Sequence, residues 1–80
     1  MKLLKYYADW CAPCKQQAKL LEDFTDIPVI SYDVEEDPDM ANKYNIRNLP
    51  TMILLDDNDN ELHRFTGLTT VDKIKEFINE

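Results

Sequence analysis

An α/β fold on a four-stranded mixed sheet, with helices on both faces, is what the sequence predicts, and three observations carry it. Short apolar runs at 3–8 and 27–34 flank a segment of helical periodicity, which is the pattern of a βαβ unit with a parallel strand pair. Two further runs, 51–55 and 61–66, are separated only by Asp56-Asp57-Asn58-Asp59-Asn60, turn chemistry throughout, and so read as an antiparallel hairpin. The only two cysteines and the only tryptophan sit together as Trp10-Cys11-Ala12-Pro13-Cys14, where the first strand meets the first helix. The order is β-α-β-α-β-β-α, in a single domain over residues 1–80.

Each element has a local reason. Leu3 to Ala8 is nearly continuous in apolar residues, as expected for a strand covered on both faces, with Lys5 as its one interruption. From Pro13 to about Thr25 the apolar Ala18, Leu21 and Phe24 recur at helical spacing and are expected to face the sheet, while Lys15, Gln16, Lys19, Glu22 and Asp23 face water. Asp37-Pro38 starts a short helix to about Tyr44, with Asp37 as N-cap and Pro38 in the first turn. Gly67 ends the last strand. Thr69 with Asp72 three residues later reads as a capping box for a final helix whose Val71, Ile74, Phe77 and Ile78 share a face.

Composition narrows the function classes. A hydrophobic share of 44% beside 31% charged residues belongs to a soluble globular chain, not a disordered one. No apolar run is long enough to span a membrane, and Met1 to Tyr6 shows neither the apolar core nor the cleavage site of a secretory signal. A reducing cytoplasm is therefore the expected compartment, where a two-cysteine motif is catalytic more often than structural. The formal net charge of −7 disfavours nucleic acid or an anionic membrane as partner.

The cysteine spacing carries chemistry. A helix N-terminus presents unpaired N–H groups and the positive end of the macrodipole, both of which favour a thiolate. Pro13 suits the first turn, where its missing N–H costs no intrahelical bond. Three residues apart, Cys11 and Cys14 lie on one side of that turn, within reach of a disulfide. As a structural staple so short a loop contributes little. Zinc needs about four ligands, and the chain offers two cysteines and a distant His63, itself read as a surface residue. The pair reads as a redox site without metal or organic cofactor.

With those residues in view, Trp10-Cys11-Ala12-Pro13-Cys14-Lys15 resembles the active-site signature of thioredoxins. The likeness continues through Asp33 to Pro38, Ala41, Lys43-Tyr44, Ile46-Arg47, Leu49-Pro50-Thr51 and Gly67. It implies a thioredoxin-like fold that lacks the N-terminal strand and helix of typical members. It implies Cys11 as nucleophile, Cys14 as resolving thiol and Pro50 as a cis-proline opposite them. Trp10, Ala12, Pro13, Leu49, Pro50, Thr66, Gly67 and Leu68 would line the substrate groove. The activity implied is monomeric protein-disulfide reduction, recharged by a thioredoxin reductase. Two alternatives stand beside it: a glutaredoxin-like protein recharged by glutathione, suggested by the short length, and a redox-inactive binding module on the same fold.

The departures from the family matter as well. Ala12 replaces the commoner glycine, Ser31 stands where a lysine is usual, and Lys5 stands where the family carries a buried aspartate. Alternation puts Lys5 on one face with Leu3 and Tyr7, beneath Cys14 by the resemblance. There it is a possible modulator of the resolving thiol, or a packing stem that carries its head to water.

Overall fold

The computed structural model describes residues 1–79. Strand β1 (Lys2–Tyr7) leads into helix α1 (Ala12–Leu20), followed by β2 (Val29–Asp33), α2 (Pro38–Lys43), β3 (Thr51–Leu55), β4 (Glu61–Thr66) and α3 (Val71–Ile78). The sheet order is β2-β1-β3-β4, with β1 and β2 parallel and the other two pairs antiparallel. This is the expected mixed sheet.

Side-chain alternation sorts the core into two layers. On one face Leu3, Met52, Leu54 and Phe65 pack with Leu21 and Phe24, which follow α1, and with Ile74 of α3. On the other, Leu4, Tyr6, Ile53 and Leu55 pack against Met40, Tyr44 and Ile46, in and just beyond α2. Central β3 is buried at all five positions because helical segments cover both its faces.

Four local expectations are corrected. Helix α1 ends at Leu20 instead of about Thr25; the Leu21 N–H donates to Gln17 and Ala18, and the Phe24 N–H then closes a turn onto Leu21 O at 3.0 Å. Its inward residues are Cys14 and Gln17, with Leu21 and Phe24 beyond its end, whereas Ala18 is exposed beside the edge strand β2. Gln17, fully buried, is tolerated because its amide is paired: Nε2 donates to Thr69 O at 2.9 Å, and the Thr69 N–H donates to Oε1 at 2.8 Å. That pairing holds Thr69 against α1, so the N-cap of α3 is Thr70, whose Oγ1 accepts the Lys73 N–H at 3.3 Å. Asp37 does occupy the N-cap of α2, without a side-chain capping bond. His63 is half-buried, not a surface residue: its ring stacks on Phe77 with centroids 3.8 Å apart and meets the edge of Phe65. The hairpin places these aromatic groups on the face that receives α3.

Candidate active site

Strand β1 ends at Tyr7, and the chain turns through Ala8 to Trp10 so that Cys11 becomes the N-cap of α1 in extended conformation. Cys11 Sγ accepts the backbone N–H of Cys14 at 3.2 Å, the capping bond that a Ser or Asp oxygen supplies elsewhere. The bond places one orphan donor of the helix on the sulfur, where it stabilises negative charge. Pro13 occupies the first turn. Cys11 and Cys14 are joined as a disulfide, with Cα atoms 5.2 Å apart.

Both cysteines are buried in this disulfide form, Cys11 at 5% exposure and Cys14 at 4%, so exposure does not distinguish the two sulfurs. The reason is tertiary: Tyr7, Val34 and Leu49 pack around the small cluster of Ala8, Cys11 and Cys14. Trp10 is left largely outside, 70% exposed, with its indole N–H donating to Glu35 Oε1 at 2.9 Å.

The Leu49–Pro50 peptide is cis, as the resemblance implies. A groove of about 510 Å³ runs beside the pair, bordered by Trp10, Cys11, Ala12, Pro13 and Leu49 from the expected set. Its far wall is Val34, Ala41, Ile46, Arg47 and Asn48. Ile46 and Arg47 belong to the segments that carry the resemblance, but no spacing in the sequence assigns them to the groove. Thr66 and Leu68 border a different concavity, of about 390 Å³, together with Phe65 and Thr69. Pro50 and Gly67 border neither concavity; the Gly67 N–H donates to Pro50 O at 2.8 Å.

Behind Cys14, away from that groove, lies an open chamber of about 320 Å³ lined by Lys5, Tyr7, Asp9, Cys14, Lys15 and Ser31, among others. Burial pushes the Lys5 ammonium below its usual range. Tyr6, on the opposite face of β1, has its phenol pushed up to about 12, first by burial and then by the neighbouring Tyr44 and Tyr32. Among the described residues, no group of three His, Cys, Asp or Glu side chains could hold a metal ion. Among the same residues, no helix is long and apolar enough to cross a membrane.

A vicinal cysteine pair capping a helix, able to close as a disulfide beside a groove, defines a thiol–disulfide oxidoreductase. A family model described as Thioredoxin matches residues 1–80. A chloroplastic thioredoxin of Arabidopsis thaliana is 36% identical over 98% of this chain and 48% of its own length. A thioredoxin of Corynebacterium nephridii is 32% identical over 98% of this chain and 76% of its own. Among solved structures, a mutant thioredoxin from Halobacterium salinarum superposes with a TM-score of 0.87 at 33% identity, covering 98% of this chain and 71% of that one. The chain belongs to the thioredoxin family. It spans about half the length of the chloroplastic relative and about three quarters of the bacterial one.

Proposed function

We propose that this protein reduces disulfides of other proteins. The observation that carries the reading is the Cys11 sulfur held at the helix N-terminus on the Cys14 N–H, at the edge of an open groove. The Cys11 thiolate attacks one sulfur of the substrate disulfide. The Cys11–substrate bond forms, the substrate S–S bond breaks, and the departing thiolate takes a proton. Cys14, deprotonated, then attacks Cys11 Sγ; the Cys11–Cys14 bond forms and the second substrate sulfur leaves as a thiolate. Two electrons and two protons pass to the substrate, and an external donor must restore the dithiol, a thioredoxin reductase in this reading.

The groove suits an extended segment: Trp10 offers an exposed apolar platform, and Leu49 lies along the wall beside Cys11. Every group the two steps need lies within one chain, which supports a monomeric enzyme. The two-cysteine usage supports a reducing cytoplasmic setting.

Insulin-disulfide reduction tests the proposal, run with thioredoxin reductase and NADPH and, separately, with glutathione and glutathione reductase. Turnover is expected in the first arm and loss of it in Cys11→Ser, while Cys14→Ser should accumulate a mixed disulfide through Cys11. Turnover confined to the glutathione arm, or a mixed disulfide trapped through Cys14 in Cys11→Ser but not the reverse, would overturn the assignment.

A further inference from the structure

The helix terminus serves one of the two sulfurs. Its Cys14 N–H is directed at Cys11 Sγ, whereas Cys14 itself lies a few residues into α1, 4% exposed, in surroundings that oppose ionisation of a thiol. Yet resolution of the mixed disulfide requires Cys14 as a thiolate. The titratable groups facing it across the chamber come from two elements and a loop. From β1 come Lys5 and Tyr7, from the following loop Asp9, and from α1 Lys15; β2 contributes the uncharged Ser31.

These groups differ in screening. Lys15 and Asp9 are exposed, carry opposite charge and act through water. Lys5 is half-buried, paired in register with Ser31 on one side and Met52 on the other, and makes no ion pair among the described residues. Its ammonium lies 5.9 Å from the Tyr7 ring centroid. A positive charge so placed, with no carboxylate within ion-pair distance, acts through a less polar medium than either exposed group.

We propose that Lys5 is the electrostatic partner of the resolving thiol, stabilising the Cys14 thiolate across the chamber while taking no part in bond making. The proposal deepens the reductase reading and rests on it for the role of Cys14. Only the proton from the Cys14 thiol leaves, to water in the open chamber; Lys5 stays an ammonium throughout.

The test uses Cys11→Ser, in which Cys14 is the sole thiol, and follows ultraviolet thiolate absorbance against pH. Lys5→Met, which keeps the stem and removes the charge, should raise the Cys14 midpoint by about one pH unit, and Lys5→Arg should restore it. In the two-cysteine protein, mixed-disulfide decay should then show a crossover. With nucleophilicity rising about half as steeply as the midpoint, Lys5→Met resolves about threefold more slowly below both Cys14 midpoints and about threefold faster above them, over the pH range in which Lys5 is still protonated. A lysine that merely packs would produce no such crossover. A second measurement needs no Lys5 variant. By reciprocity, the Lys5 amine in Cys11→Ser, followed by NMR, should titrate higher once Cys14 is a thiolate than when Cys14 is alkylated with a neutral reagent. Equal Cys14 midpoints with parallel decay profiles, or a Lys5 midpoint indifferent to the state of Cys14, overturn the proposal. Wild-type insulin reduction measured alongside reports separately on the reductase reading.

Discussion

Replacing Gln17 probes the contact that ties the redox helix to the loop before α3. The side chain is fully buried, and both its polar atoms bond the Thr69 backbone, at 2.9 and 2.8 Å. Gln17→Ala leaves one N–H and one C=O without their partner. A buried orphan costs about 1–3 kcal/mol, and because Thr69 is half-buried and water can reach it, the low end applies: about 2 kcal/mol for the two. Loss of the rest of the side chain adds roughly 1–2 kcal/mol for packing and residual cavity, giving about 3–4 kcal/mol. Gln17→Met keeps most of the volume and should cost only about the polar part, roughly 2 kcal/mol. Against a total stability of roughly 4–12 kcal/mol for a domain of this size, either loss is large. Urea unfolding of the disulfide form measures both from the shift in midpoint at constant slope. A Gln17→Met variant within about 0.5 kcal/mol of wild type would refute the reasoning, since the paired amide would then contribute nothing that a thioether cannot.

Two further expectations concern Gly67 and Tyr6. Gly67 has φ +86°, and a Cβ built there meets no atom within 4 Å, so Gly67→Ala should cost about 1–2 kcal/mol from backbone conformation alone; Gly67→Asn, which tolerates that region better, should cost less in the same unfolding assay. Tyr6 has its phenol pushed up to about 12 while its hydroxyl donates to Met40 O at 3.3 Å. The folded state therefore holds this proton more tightly than the unfolded chain does. Its contribution is complete below pH of about 10, the unfolded tyrosine value, and is lost as pH rises toward about 12. Spectrophotometric titration should show one of the four tyrosines ionising late, and Tyr6→Phe should flatten the alkaline fall in stability.

The element order, the mixed sheet and the cysteine pair are legible in the residues alone, because each rests on local physics. Apolar runs of strand length, the Asp-Asn turn at 56–60 and a Cys-x-x-Cys at a helix start are read from neighbours in the chain. Local signals reached less far at the ends of elements. Thr69 has the right residue three positions on, yet a partner 52 residues away in sequence claims it, and the cap passes to Thr70. Helical spacing puts Gln17 on the stripe of Leu21 and Phe24, where a polar amide is unexpected; only the Thr69 backbone, brought beside α1 by the return of β4, satisfies it there. The same holds for the site. Tertiary packing decided that Val34 and Leu49 cover Cys11, that Ile46 and Arg47 wall the groove, and that Thr66 and Leu68 face another concavity. It also decided that His63 lies against Phe77 and that Lys5 shares a chamber with Cys14. Periodicity tells which way a side chain points from its own element, but the group it meets is set by strand register and by where the crossing helices come to rest.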